Sequence, residues 1–178
     1  MYLIKAFITD FADFLDRSVK EMKKIWYLLK CPEGNEKKYA EIIQRYAGQN
    51  GIKEVVCFEY QRMLRYGGRW HLERRPLLPG WIFLSGTKAI KFRRRNTILI
   101  PCEAINVKSL CQEGNLIGMS RGIIQDGKTV ITSGPLKGRE DLIKRINRHK
   151  RTAHIEIPFA DHKMQVTVGL EIYEKNRQ

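Results

Sequence analysis

The sequence predicts an α+β fold with two folding units in its 178 residues. In the first half, short apolar β-type runs flank a segment with helical spacing at residues 37–47. In the second half, alternation around Val130 leads into Gly134-Pro135, where glycine and proline favour a tight turn between strands. A hydrophobic content of 43% is enough for modest cores. The chain is therefore expected to be globular, with helix and strand mixed mainly in the first half.

The elements of the first half follow from apolar spacing and turn residues. Asn35 is the expected N-cap of the helix. The tip of a basic hairpin is expected around Gly67-Gly68, and a Pro79-Gly80 break interrupts a later strand. The predicted elements are strand 25–29, helix 37–47, strand 55–58, hairpin 63–75, strand 77–84, and a helix at 101–112 with Pro101 in its first turn and Ile105 and Leu110 facing inward.

The second half reads mainly as strands. Residues 153, 155 and 157 alternate with polar positions, and so do residues 164, 166 and 168, so both sets are expected to be core. Leu142, Ile143 and Ile146 also satisfy helical spacing, which leaves a helical form of this region open as an alternative. The β-branched runs at 129–132 and 166–168 favour strands.

The charge balance indicates a polyanionic partner. The chain carries 33 Lys and Arg against 19 Asp and Glu, a net charge of +14. Basic residues exceed acidic ones in both 24–106 and 118–178 but not in 1–23. A surplus of this size favours nucleic acid over an anionic membrane. The four cysteines show neither C-x-x-C nor zinc-site spacing, and we expect reduced thiols in a cytoplasmic protein without a metal or other cofactor.

Residues 1–23 form a distinct amphipathic segment. Apolar residues recur at helical intervals from Leu3 to Met22, and Asp10 and Asp13 interrupt any secretory signal. A partner-binding or membrane-surface helix is one interpretation. The simpler interpretation is that residues 1–21 are an optional extension whose removal leaves the rest folded, because the stretch from Met22 leads directly into the strand that begins at Ile25.

Two motifs resemble known sequences. The stretch at 133–140, led in by the strand at 129–132, resembles a KOW motif, the core of a small SH3-like β-barrel. Trp26-Tyr27 opening a strand, and residues 75–83 after a basic hairpin, resemble the N-terminal domain of the NusG family of transcription factors. Their order along residues 24–178 strengthens the resemblance. Residues 117–122, 133–136 and 146–151 are most similar to the operon-directed LoaP branch of that family.

The resemblance implies an N-terminal NusG-type α/β sandwich domain at 24–113, a linker at 114–120 and a KOW barrel at 121–178. It implies a non-enzymatic, monomeric elongation factor that acts as a processive antiterminator. The N-terminal domain of such a factor binds the clamp helices of the largest RNA polymerase subunit. The corresponding apolar residues here are Trp26, Leu77, Leu78, Pro79 and Trp81. Alternation along strands leaves a purely structural role open for Trp26 and Trp81.

Two basic groups are the candidate nucleic-acid contacts. The hairpin arginines are expected to approach upstream DNA or the opposite polymerase lobe, or simply to keep a strand edge soluble. They are Arg62, Arg65, Arg69, Arg74 and Arg75. The barrel cations are expected to bind a nascent RNA hairpin through phosphates and exposed bases. They are Lys137, Arg139, Lys144, Arg145, Arg148, His149, Lys150 and Arg151.

Two departures from the family pattern and two alternative functions remain. Residues 158–162 read Pro-Phe-Ala-Asp-His where the housekeeping member of the family has a different turn, which argues against the ribosomal-protein contact of that member without deciding it. A second full helix is hard to place in 87–101, where Arg93-Arg94-Arg95 interrupts the pattern. A general elongation factor without RNA sequence preference and a ribosome-associated KOW protein are the alternatives. No phosphate loop, metal spacing or nucleophile elbow indicates an enzyme.

Overall fold

A computed structural model of the protein describes residues 25–48, 51–86, 99–102, 104–159 and 162–174. The predicted extension at 1–23 and the arginine run at 93–95 lie outside the described residues. The first half contains β1 (Ile25–Lys30), α1 (Glu36–Arg45), β2 (Ile52–Val56), β3 (Glu59–Tyr66), β4 (Arg69–Pro76), β5 (Trp81–Gly86), β6 (Leu99–Cys102), α2 (Ile105–Lys108) and β7 (Leu116–Ile117). The second half contains β8 (Ser120–Gln125), β9 (Lys128–Ser133), a 3-10 turn (Glu140–Leu142), β10 (Ile143–Asn147), β11 (Thr152–Phe159) and β12 (His162–Glu174).

The first sheet is antiparallel, in the order β2-β5-β1-β6. Leu29 and Leu84 belong to a small core cluster against which Ala40 and Ile43 of α1 pack. Leu28 and Phe83 point to the other face and join a second, larger cluster. Because both faces are covered, consecutive residues of β1 are buried. The predicted first strand and the helix after Asn35 are confirmed, although the Asn35 side chain makes no capping hydrogen bond.

The predicted helix over 101–112 is wrong for most of its length. Residues 99–102 form β6, which pairs with β1 at the edge of the sheet, and among the described residues of 101–112 only Ile105–Lys108 is helical. An edge strand accepts Pro101 because its outer side needs no ladder hydrogen bond. Ile105 is 68% exposed rather than inward-facing, whereas Leu110 is buried as expected.

The basic hairpin is β3–β4, with β7 parallel to β3 on the other side. Its two-residue turn consists of Gly67 and Gly68, with φ of 57° and 75°. Positive φ at both positions is the requirement of a type I′ turn, which matches the twist of the two strands. The hairpin predicted from Gly67-Gly68 is therefore confirmed.

The five strands of the second half form one sheet, called here the C-terminal sheet, in the order β10-β11-β12-β8-β9. β8 and β12 run parallel, and the other pairs are antiparallel. Ala153, Ile155 and Ile157 are buried, as their alternation predicts. Residues 143–147 are a strand, so the helical alternative for this region is not what the structure contains.

The two halves share one core. The larger buried cluster joins Trp26, Phe58 and Tyr60 to Leu136, Ile155 and Leu170 of the second half. The segment predicted as a linker is held in place: Leu116 and Ile117 pair with Glu59 and Tyr60, and Ser120 already begins β8. The predicted domain boundaries at 113 and 121 stay a prediction, and the described residues on either side of them pack together.

Candidate partner and nucleic-acid interfaces

Two of the five candidate polymerase contacts lie in the core. Trp26 and Leu77 are each 5% exposed. The Leu77 N–H donates to Phe58 O at 2.8 Å, so its backbone is also fixed. A side chain buried at this level is not accessible to a partner surface, and the prediction of direct contact is therefore corrected for these two residues. Both belong to the larger buried cluster, against which Leu78 and Trp81 pack.

The other three lie around the loop that precedes β5. Pro79 is exposed, and Leu78 and Trp81 are half-buried. The Trp81 N–H donates to Leu78 O at 3.2 Å, which closes a turn, and Lys30 Nζ lies 4.7 Å from the centroid of the Trp81 ring. An accessible apolar surface bordered by a cation remains at this loop.

Glu36 holds this loop against the start of α1. Its Oε1 accepts hydrogen bonds from the N–H groups of Gly80 at 2.7 Å and Gly34 at 3.0 Å, and the residue is only 5% exposed. Burial alone would raise the pKa of Glu36. The backbone hydrogen bonds from Gly80, from Glu36 itself and from Gly34 outweigh burial and lower that pKa below its ordinary value. The carboxylate form is therefore part of the structure that positions Pro79.

The hairpin arginines divide between two faces. Residues opposite each other in an antiparallel ladder share a face, so Arg65 and Arg74 lie on one side, and Arg69 and Arg75 on the other. All four are exposed. Arg75 forms an ion pair with Glu73, with the nitrogen and oxygen 2.7 Å apart. Arg62, on the same face as Arg69, is half-buried, and its Nε has no hydrogen-bond partner among the residues that the structure describes.

The clearest cationic surface of the C-terminal sheet is the turn between β10 and β11. Arg148, His149 and Lys150 are all exposed there. The Lys150 N–H donates to Asn147 Oδ1 at 3.0 Å, and the Arg151 N–H donates to Arg148 O at 3.1 Å, so the backbone of the turn is fixed. Arg145 is also exposed, on the adjacent strand β10. These four side chains form what we call the basic turn.

Three other predicted RNA contacts are engaged within the protein. Arg151 forms an ion pair with Glu171, and its guanidinium carbon lies 3.8 Å from the Trp70 ring centroid. Arg139 donates to Ser109 Oγ at 2.9 Å. Lys144 lies 3.6 Å from Glu156 Oε2, in an exposed pair that a ligand would displace easily. Lys137 is exposed on the loop before the 3-10 turn.

Sequence reasoning missed two features of the hairpin. Trp70 is the partner of Arg151, and the rings of Tyr66 and His71 are stacked. The spacing of residues along β3 and β4 assigns these side chains to opposite faces once the turn at Gly67-Gly68 is located. The sequence alone could therefore have placed Trp70 on one face and Tyr66 and His71 on the other. It could not have shown that Arg151 of the second half contacts Trp70.

Neither a protein-family model nor a curated protein matches the chain. Among solved structures, the chain is similar to one described as "Domain interaction in Thermotoga maritima NusG", with 18% identity and a TM-score of 0.39, over 83% of this chain and 94% of that one. At this TM-score the functional assignment depends on the residues of the chain itself. No helix among the described residues is long and apolar enough to cross a membrane.

Proposed function

We propose that the protein is a NusG-type transcription elongation factor that acts as a processive antiterminator. In this proposal its first half binds the clamp helices of RNA polymerase, and its C-terminal sheet binds a hairpin in the nascent leader RNA. The protein works as a monomer in the cytoplasm and has no catalytic role. The resemblance of residues 24–178 to the NusG family supports the assignment as a transcription elongation factor.

The basic turn is the observation that carries the RNA-binding part. It contains four exposed side chains, Arg145 on β10 and Arg148, His149 and Lys150 on the turn that follows, and Asn147 fixes the backbone of that turn. Arginine and lysine at such a turn bind phosphates, and arginine also pairs with base edges in loops and bulges. A dense cluster of this kind favours recognition of a structured RNA over a general elongation role.

The loop before β5 supports the polymerase-binding part. Leu78, Pro79 and Trp81 are accessible, and Leu78 and Trp81 pack against the larger buried cluster that contains Leu77. A small apolar surface with an adjacent lysine fits an amphipathic helical partner, because its centre excludes water and its edge tolerates charge. Pro79→Ser combined with Trp81→Ser should weaken polymerase association without removing a fully buried side chain.

Transcription through an intrinsic terminator, with purified polymerase, tests the proposal directly. We expect the protein to raise read-through only on templates whose leader encodes the cognate RNA hairpin. Read-through that rises equally with and without that leader would instead establish a general elongation factor. Unchanged read-through on both templates, together with unchanged pausing, would overturn the proposal.

RNA binding is tested with Arg148→Ala combined with Lys150→Ala. Removing two phosphate contacts should weaken binding and lower the slope of log affinity against log salt by about 1.4 to 1.8. The matched control is Lys38→Ala combined with Arg45→Ala, which removes the same charge from exposed positions of α1. Polymerase association should stay intact in both variants. If both double variants lost the same RNA affinity, the basic turn would contribute only through the net charge of the protein and would not be a specific RNA-binding site.

A further inference from the structure

We propose that residues 1–23 dock as an amphipathic helix on the outer side of α1, against an apolar stripe formed by Tyr39, Ile42 and Tyr46. The occupant of this surface is thus a segment of the same chain, which lies outside the described residues. The stripe is separate from the polymerase-binding loop and from the basic turn, so the inference does not depend on the proposed function.

The stripe on α1 is the starting observation. Tyr39, Ile42 and Tyr46 are spaced by three and four residues, so they share one side of the helix. These residues are 39%, 43% and 58% exposed, respectively. Ala40 and Ile43, about a quarter-turn away around the helix, face the sheet and pack against the smaller buried cluster. The helix is therefore held by one face and presents a second apolar face, which is typical of a surface that another element covers.

The chain enters β1 beside this stripe. Ile25 pairs with Gly86, and Gly86 also pairs with Ile52, so Ile25 and Ile52 are two strand spacings, or about 10 Å, apart. The Ile52 N–H donates to Ala47 O at 3.1 Å, directly after α1. Ile25 also shares with Leu29 the face of β1 that α1 covers, and it is 37% exposed. The segment that precedes β1 therefore joins the sheet next to the end of α1 and on the same face.

This segment has the pattern and the length to cover the stripe. Its apolar residues recur at helical intervals from Leu3 to Met22. The stripe from Tyr39 to Tyr46 is about 10 Å long, so about two helical turns of the segment match it. The residues left over are enough for the connection to β1, because each extended residue spans about 3.3 Å. An amphipathic helix gains most of its stability by packing its apolar face, and the stripe is a surface on which it can do so.

Charge favours this segment over the other long stretch outside the described residues, 87–98. Lys38 and Arg45 are exposed, four positions before and three after Ile42, so both border the stripe. Residues 6–16 contain three Asp and no Lys or Arg, so these cations attract them. Residues 87–98 contain five Lys and Arg and no acidic residue, so the same cations repel them. The acidic stretch before β1 is therefore the better occupant.

Hydrogen–deuterium exchange of the full chain, followed by mass spectrometry, tests the inference. We expect amide protection in peptides from residues 3–22 that does not change when the protein is diluted. Ile42→Asp places a charge in the stripe and should speed exchange in those peptides by at least about fivefold. Gln44→Asp adds the same charge at an exposed position on the opposite side of α1 and is the control.

Four outcomes of this experiment would overturn the inference. They are an absence of protection in residues 3–22, protection that disappears on dilution, protection that requires phosphatidylglycerol vesicles, and equal effects of Ile42→Asp and Gln44→Asp. The second outcome would identify a second copy of the chain as the occupant, and the third would identify a membrane surface as the partner of the segment.

Photocrosslinking identifies the occupant directly and avoids a charged substitution in the stripe. Benzoylphenylalanine in place of Ile42 keeps the site apolar, and benzoylphenylalanine in place of Gln44 is the control. We expect the first to crosslink to residues 3–22 of the same chain and the second not to. A crosslink from position 42 to residues 87–98 or to a second copy, or no crosslink to residues 3–22, would overturn the inference.

Discussion

The Arg151 guanidinium lies against the Trp70 ring, 3.8 Å from its centroid, and this contact joins the C-terminal sheet to the β3–β4 hairpin. Arg151 also pairs with Glu171 on β12, which orients its side chain. The backbone of Arg151 has a φ of 50°, which is uncommon for a residue other than glycine. Arg151 is therefore a structural residue in this arrangement, and RNA would have to compete with two internal partners to engage it.

A double-mutant cycle with Arg151→Ala and Trp70→Ala should show coupling. We expect a coupling free energy of about 0.5 to 2 kcal/mol, because the pair is partly shielded from water. The measurement is urea unfolding of the two single variants, the double variant and the unsubstituted chain. A cycle of Trp70→Ala with Arg148→Ala serves as the control, since Arg148 lies on the exposed turn; its effects should add to within about 0.5 kcal/mol. Additive effects in the first cycle would contradict a direct contact.

Replacing the buried carboxylate with Glu36→Gln should destabilise the protein near neutral pH by about 1.5 to 3 kcal/mol, the usual contribution of a hydrogen bond to a charged group. The folded pKa of Glu36 is lowered, so its stabilising contribution is present above the unfolded value of about 4.3 and is lost as pH falls through the folded value. The unfolding free energy of the variant should therefore fall less on acidification. Glu41→Gln, at an exposed position of the same helix, is the control and should leave the profile unchanged. A parallel pH profile for Glu36→Gln would contradict the role assigned to its charge.

Gly134→Ala tests the close approach at the start of the Gly-Pro turn. Gly134 has a φ of 89°, and an added Cβ would lie 2.5 Å from Met119 O and 2.6 Å from Ser120 Cα. Gly127 has a similar φ of 73° but no atom within 4 Å of such a Cβ, so Gly127→Ala isolates the backbone strain. We expect about 1 to 2 kcal/mol of destabilisation for Gly127→Ala and a further amount of about 1 to 3 kcal/mol for Gly134→Ala. Thermal unfolding measures both, and equal effects would show that the turn relaxes to admit the methyl group.

The sequence is most informative where local spacing determines structure. The turn at Gly67-Gly68 and the buried alternation of Ala153, Ile155 and Ile157 are local patterns, and both are confirmed. The helix expected over 101–112 is wrong for most of its length because residues 99–102 pair with β1, seventy or more positions away along the chain. Such a long-range contact overrides helical spacing.

For the candidate sites, too, the sequence predicts local features but not long-range contacts. Spacing along a strand predicts that one face of β1 is buried, whereas both faces are covered in the structure, so that Trp26 is buried in the larger cluster and Leu29 in the smaller one. The lysines and arginines at 137–151 are evident in the sequence. The two groups that contact Arg151, Glu171 on β12 and Trp70 on β4, are distant along the chain and are known only from the structure. Which cations stay accessible depends on the packing of the two halves.

The four cysteines should react slowly with alkylating reagents while the protein is folded. Burial raises the pKa of Cys57 to about 11, of Cys102 to about 12 and of Cys111 to about 11, and it also raises the pKa of Cys31. The thiolate is the reactive form, so little of it is present near pH 8. Mass spectrometry after iodoacetamide treatment should find slow labelling in buffer and complete labelling of all four in urea.

The same shifts predict that stability falls in alkali. The unfolded thiols ionise near pH 8.5 while the folded ones stay protonated, so the unfolding free energy should decrease as pH rises from about 8.5 towards 11. Cys57→Ala removes one ionising group, and the decrease over that interval should be smaller than in the unsubstituted chain. Rapid alkylation of the folded protein at pH 8 would contradict the burial of these thiols, and an unchanged alkaline profile in Cys57→Ala would contradict the shift assigned to Cys57.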